Sequence, residues 1–157
     1  MNFSRQIAKH FREIFFGGNW TASCLKDHLS DVSWQESTAK PDSLNSIASL
    51  VYHIHYFPSA AMKVLQGEVL DANDELSFNH PPVELADDWQ KFLESIWREG
   101  EKFAALVEKL PEEKLGEIFS QEKYGNYYRN IHGIIEHAYY HLGQIVLIKK
   151  LIRARIL

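Results

Sequence analysis

The spacing of apolar residues constrains this fold most, because they recur every three or four positions in four separate segments of the 157-residue chain. The clearest segment carries one stripe of Trp89, Leu93, Ile96, Gly100, Phe103, Val107 and Leu110. Such a stripe is buried when helices pack side by side. No strand-like alternation extends far enough to compete. The sequence therefore predicts an all-α fold, specifically an antiparallel four-helix bundle.

Turn residues and prolines set the expected helix boundaries. We predict helices over approximately residues 2–29, 43–66, 89–110 and 131–152, with polar loops at 30–43 and 67–82. Gly17-Gly18-Asn19 interrupts the first helix. Either the helix bends there, or Asn19 caps a new helix before Trp20. Pro58 falls inside the second helix, where it removes one amide hydrogen bond and could distort the turn.

Composition bounds the class of protein. The chain is long enough for one domain, residues 1–157, with its own core. A net charge of −4 and a pI near 6.0 argue against a nucleic-acid binder. Cys24 is the only cysteine, so neither an intrachain disulfide nor a cysteine cluster for zinc is expected. There is no signal-like or membrane-spanning apolar run, and we expect a cytoplasmic protein without a membrane partner.

The eight histidines differ in the helix face they occupy. At about 100° per residue, His53 lies roughly 60° from the apolar stripe of its helix, whereas His55 lies roughly 140° away. We therefore expect His53 to face the core and His55 to face solvent. In the fourth helix His137 and His141 share one flank with Gln144, and His132 lies on the opposite flank.

His137 and His141 have the i, i+4 spacing that projects two imidazoles from adjacent turns of one helix. One further imidazole, from His53, would give a divalent ion three ligands and leave positions open for water or substrate. The alternative is that these histidines simply belong to the core or the surface, since the pair alone is a weak signal. The glutamate of a zincin motif is absent, because Ala138 follows His137.

Three sequence blocks resemble one known family. They are Tyr52-His53-Ile54, the run from Tyr124 to Gly133, and His137-Ala138-Tyr139-Tyr140-His141-Leu142-Gly143-Gln144. Together they resemble the DinB/YfiT-like superfamily of four-helix bundles, which is distinct from the DNA polymerase that shares the DinB name. The resemblance implies a homodimer with a divalent ion, zinc or nickel, on His53, His137 and His141.

Relatives in that family include thiol-dependent S-transferases and a thiol-dependent isomerase. The resemblance therefore implies a metal-dependent enzyme, of the S-transferase or hydrolase type, acting on a small molecule with a low-molecular-weight thiol as cosubstrate. The alternative is a non-catalytic dimeric bundle with a structural metal, serving as a binding or stress-response module. No catalytic acid, base or nucleophile is recognisable beside the histidines.

Further residues are candidates for supporting roles near the metal. Glu136 and Gln144 are candidates for hydrogen bonding to a ligand or a histidine. Tyr124, Tyr127 and Arg129 precede the fourth helix and could line the mouth of a pocket. The alternative for the tyrosines is a packed connector that covers one end of the bundle. Four tryptophans, which are enriched at interfaces, are compatible with the homodimer.

Overall fold

The computed structural model describes residues 2–156, with side chains through residue 154. These residues form six α-helices: α1 (Phe3–Phe16), α2 (Leu25–Leu29), α3 (Trp34–Thr38), α4 (Ile47–Leu65), α5 (Ala86–Glu108) and α6 (Tyr127–Ile156). Short 3-10 helices cover Asp74–Phe78, Glu112–Gly116 and Glu122–Tyr124. Within this part of the chain there is no β-strand, only an isolated bridge between Ile118 and Asn126. The all-α prediction is confirmed.

The first predicted helix is two helices separated by a loop. α1 ends at Phe16 because Gly17 and Gly18 take φ values of +104° and +92°, which glycine adopts without strain. Asn19 does not begin a helix; its amide donates to the carbonyls of Glu13 and Ser23 and so closes the loop. The second helix of the pair begins only at Leu25.

Other boundaries shift for equally local reasons. α3 lies inside the predicted loop 30–43 and is held by a capping box between Ser33 and Glu36. α4 begins at Ile47 rather than near residue 43, with Ser46 as its N-cap. Asp42, next to the predicted start of this helix, has a φ of +51°, whereas an N-cap residue needs an extended backbone. α4 continues through Pro58 to Leu65.

α1 runs antiparallel to α5. Near the start of α1 the backbone N–H of Phe3 donates to Glu112, just beyond the end of α5. Near the end of α1 the ring of Phe15 meets Trp97, and between them Arg12 pairs with Glu101. α4 likewise runs antiparallel to α6, because Phe57 meets His137 while His53 meets both His137 and His141.

α4 and α5, by contrast, run parallel. Tyr52 stacks on Phe92, and about two turns further along both helices Ser59 donates to Glu99. The chain returns to the starting end through residues 66–85, which connect the two helices. This connection carries the 3-10 helix Asp74–Phe78, which packs against α4. No helix within residues 2–156 has the length and apolar character needed to cross a membrane.

The core between α1 and α5 is aromatic and tightly packed. Phe11, Phe15 and Phe103 are fully buried, and Phe11 stacks on Phe15. Gly100 permits this packing, because a Cβ atom there would lie 3.0 Å from Cδ1 of Phe15. Trp89 is also buried, and its indole N–H donates to the carbonyl of Val32 at 2.9 Å. The α2–α3 segment is thereby attached to α5.

Ion pairs attach the same segment to the far end of α6. Lys149 lies 2.9 Å and Arg153 2.8 Å from the Asp31 carboxylate, and Arg153 also contacts Glu36 at 2.7 Å. Hydrogen bonds from Arg153 and Lys149 lower the pKa of Asp31 to about 2. These pairs are at least partly exposed, so they position the segment more than they stabilise it.

Candidate metal centre

Three histidines from two helices meet at one point of the helical packing. α4 contributes His53 and α6 contributes His137 and His141, and one nitrogen of each lies within 4.8 Å of the others. Nε2 of His137 is 2.9 Å from Nε2 of His53. His53 and His141 are only 6% and 8% exposed. The structure therefore brings together the three residues that the sequence selected as metal ligands.

A hydrogen-bond chain fixes the tautomer of His53. Its Nδ1 lies 2.7 Å from the hydroxyl oxygen of Ser77, and that hydroxyl donates to the carbonyl of Asp74 at 2.6 Å. Because the hydroxyl proton is committed to Asp74, Ser77 accepts from His53 Nδ1–H. The lone pair of His53 is then on Nε2, the atom that faces His137. The ring of Phe78 stacks on the imidazole of His53, with ring centroids 4.0 Å apart.

His141 is held in the same tautomer by its own helix. Its Nδ1 lies 2.6 Å from Oε1 of Gln144, one turn further along α6. The amide oxygen can only accept, so Nδ1 carries the proton and Nε2 carries the lone pair. Gln144 therefore makes one of the contacts that the sequence analysis expected of it. Hydrogen bonds to the non-ligating nitrogen are typical of histidines that bind metals.

His137 is the least satisfied of the three rings. Its Nδ1 is buried and has no hydrogen-bond partner, while Nε2 faces His53. Phe57 packs against this ring in a T-shaped arrangement, with centroids 4.9 Å apart. A buried polar atom without a partner is rare in folded proteins. This atom is not the nitrogen that faces His53, and His55 Nδ1 outside the cluster also lacks a partner.

The electrostatics keep the three rings neutral. Burial, with a smaller effect of nearby His141, lowers the pKa of His53 to about 4. Burial, His141 and His53 lower the pKa of His137 to about 4 as well. Burial also lowers the pKa of His141, against the opposing hydrogen bond to Gln144. Neutral imidazole is the form that coordinates metals, so the donor set fits a divalent ion.

The remaining histidines lie outside this cluster, and the expectation for His55 was wrong. His55 is buried rather than exposed, with Nε2 2.9 Å from the Glu99 carboxylate and 3.0 Å from Ser59. α4 packs against both α5 and α6, so it has two buried faces and the helical-phase argument considered only one. His132 stacks on Tyr128 away from the cluster.

The other predicted site residues lie in different parts of the structure. Glu136 points to solvent and pairs with His132 at 3.3 Å, without touching the three rings. Tyr127 is buried against Phe119, as the packed-connector alternative expected. Tyr124 and Arg129 each line a cavity beside the cluster. Sequence reasoning missed Ser77 and Phe78, because nothing distinguishes them from the other residues of a polar loop.

Two adjoining cavities lie beside the cluster, and only the first is lined by one of the three histidines. The first has a volume of about 290 Å³ and is lined by Phe57, Arg129, Asn130, Gly133, Ile134 and His137. The second, of about 330 Å³, shares Phe57, Asn130 and Ile134 with it and extends between α4 and the connection that precedes α5. A small molecule in the first cavity would therefore contact His137 directly.

Comparison with known proteins does not place the chain in a family. No family model matches it, and neither a curated protein nor a solved structure matches it. Functional conclusions therefore depend on the geometry of the histidine cluster and its surroundings.

Proposed function

We propose that this chain is a divalent-metal-binding four-helix-bundle protein of the DinB/YfiT-like type, with zinc or nickel held by His53, His137 and His141. The observation that carries the proposal is the convergence of three neutral imidazoles, two of them with tautomers fixed by Ser77 and Gln144. The sequence resemblance supports it independently. The up-down-down-up direction of α1, α4, α5 and α6 is one of the recognised bundle topologies.

We propose further that the centre is catalytic, as a thiol-dependent S-transferase or a hydrolase. Three protein ligands are typical of catalytic sites, whereas structural zinc usually has four. When bound, the ion would polarise a substrate oxygen or lower the pKa of a thiol or water. The chain itself orients two of the rings through Ser77 and Gln144, and its cavity brings a small molecule to His137. Phe57 and Phe78 exclude water from the buried faces of His53.

A structural metal in a non-catalytic binding module is the second candidate. It is favoured by one observation: among residues 2–156 no carboxylate, thiol or hydroxyl other than Ser77 forms a hydrogen bond with the three rings, and Ser77 is committed to Asp74. The cavity beside His137 favours the catalytic candidate, since a structural site needs no access for substrate.

Metal content tests the assignment of the ligands. Purified protein loaded with zinc or nickel should retain about one ion per chain, and His141→Ala should lose it while the helical circular dichroism persists. His132→Ala is the matched control, because it removes a histidine from the same helix outside the cluster. Full retention of metal in His141→Ala would refute the site.

A turnover screen then separates the two candidate functions. Metal-loaded protein should convert members of a panel of small electrophiles in the presence of low-molecular-weight thiols, and His53→Ala should not. Equal turnover by the two proteins would exclude a reaction at the metal. Absence of turnover from both, with the ion retained by the unaltered chain, would favour the structural candidate.

We propose a homodimer that pairs the exposed face of α6 with the same face of a second copy. This α6 face consists of exposed residues that follow one line along the helix: Glu136, Tyr140, Gly143, Leu147, Lys150, Leu151 and Ala154. In an antiparallel pair about a two-fold axis, Leu147 would pack over Gly143, where an added Cβ atom would meet no atom within 4 Å. Glu136 would then lie about one turn from Lys150 of the second copy, within reach of its long side chain. In the proposed arrangement a large side chain would lie over a glycine, and opposite charges would approach each other at both ends of the face.

A further inference from the structure

The cavities beside His137 have one charged side and one apolar side. Arg129 stands at the charged side, in the first turn of α6, where its backbone N–H is bonded to Asn126 at 2.8 Å. Its guanidinium makes no ion pair with any carboxylate in the described chain. The apolar side lies beyond Phe57 and Ile134 and is walled by Ala60, Ala61 and Leu70.

The position of Arg129 is set by the turn that precedes α6. Gly125 has a φ of +74°, and a Cβ atom there would lie 3.0 Å from Cδ of Arg129. The absence of a side chain at Gly125 therefore gives the arginine stem a surface on which to lie. The N-terminal end of a 30-residue helix adds a partial positive charge at the same place.

The walls of the second cavity favour an uncharged group. Alanine at positions 60, 61 and 72 leaves the space that larger side chains would fill, and Phe57, Leu70 and Phe119 supply apolar surface. Asp74 is the one acidic residue among the lining residues. Its charge would repel an anion, so the anionic group of a ligand belongs at Arg129 and the apolar body near Leu70.

We propose that these cavities bind a small carboxylic acid, with its carboxylate on Arg129 and an aryl or branched alkyl group between α4 and Leu70. Arginine binds a carboxylate through two parallel N–H donors, which fixes the orientation of the acid. The part of the ligand in the first cavity would then lie against His137. This inference rests on the proposed function for the reaction of the acid, since the ion would act on that part, but the binding itself needs no metal.

The test is calorimetric titration with 4-phenylbutyrate, with its neutral amide as the matched ligand, on metal-free and metal-loaded protein. The acid should bind both forms, and the amide should bind at least about tenfold more weakly because it lacks the charge-assisted bond. Arg129→Gln should lower the affinity for the acid by a similar factor. Arg98→Gln, which changes the same charge on the exposed surface of α5, should bind as the unaltered protein does.

A second pair of variants tests the apolar half. Ala61→Phe should fill the cavity and abolish binding of the acid. Ala72→Phe, at an exposed position that also lines the cavity, should do the same with less risk to the core. Equal affinity for the acid and the amide, or undiminished binding by Arg129→Gln, would overturn the proposal, as would a complete lack of binding to both protein forms. If the protein takes up no metal but still binds the acid, the metal site is refuted and this inference stands.

Discussion

The hydroxyl of Ser77 accepts a hydrogen bond from Nδ1 of His53 and donates one to the backbone of Asp74. A residue of the 3-10 helix Asp74–Phe78 thereby leaves the lone pair of His53 on Nε2, the nitrogen that faces His137. Ser77→Ala removes the acceptor and should weaken zinc binding by roughly 10–100-fold. Competition with a chelator of known affinity measures the change.

The control for this variant is Ser95→Ala. Ser95 also donates to a backbone carbonyl, that of Phe92, but it lies on α5 away from the histidines. Its zinc affinity should equal that of the unaltered chain. Equal affinities in all three proteins would mean that Ser77 does not orient His53.

The metal-free protein should lose stability as the pH falls from about 6.5 to 4. The pKa values of His53 and His137 are about 4 in the folded chain and near 6.5 when unfolded, so between these values the unfolded state binds more protons. Each ring should account for on the order of 1 kcal/mol, allowing for solvent screening. Urea denaturation at pH 7, 5.5 and 4.5 measures how steeply the free energy of unfolding falls with pH.

The double variant His53→Asn, His137→Asn should show a smaller slope in that interval. Asp31 provides an internal reference at lower pH, because its depressed pKa of about 2 makes its contribution disappear only below about pH 4. A flat profile between pH 7 and 4.5 for the unaltered chain would contradict the prediction.

Gly100→Ala should destabilise the protein by about 1–3 kcal/mol. The new methyl group would lie 3.0 Å from the ring of Phe15, which is fully buried and cannot move away cheaply. Gly133→Ala is the counterpart, since it is also helical and has nothing within 4 Å of the added atom. It should stabilise the protein by roughly 0.5–1 kcal/mol through helix propensity. Thermal denaturation distinguishes the two, and similar shifts would contradict the packing argument.

Leu147→Glu should convert the proposed dimer to monomer at micromolar concentration. Leu147 is 58% exposed at the middle of the α6 face, and the substitution places like charges near the two-fold axis. Sedimentation velocity should show at least a roughly tenfold weaker association. Val69→Glu changes an even more exposed apolar residue outside that face and should leave the dimer unchanged. A monomeric unaltered chain would refute the dimer itself.

Residue spacing predicted those parts of the fold in which one face of a long helix is buried. α5 was expected over residues 89–110 and spans Ala86–Glu108. The same phase argument selected the three clustered histidines, because each sits on a flank that adjoins the core. It failed for His55, since a helix in contact with two neighbours buries more than one stripe.

Other features have no periodic signal. α3 is five residues long and depends on a capping box within a polar stretch, so helix-length patterns miss it. The apolar stripes of α4 and α5 do not indicate that the two helices run parallel, because such a stripe has the same spacing in either chain direction. Ser77 reaches His53 only because the connection between those helices folds back over α4.

His53 and His137 are 84 positions apart along the chain, yet their nitrogens touch. Such a pair cannot form until α4 and α6 have docked, because the intervening chain must first lose its freedom. An unfolded or half-assembled chain therefore lacks a three-histidine chelate of this kind. Zinc supplied during refolding would bind late. The time of its uptake would report when α6 docks on α4, and not when either helix forms.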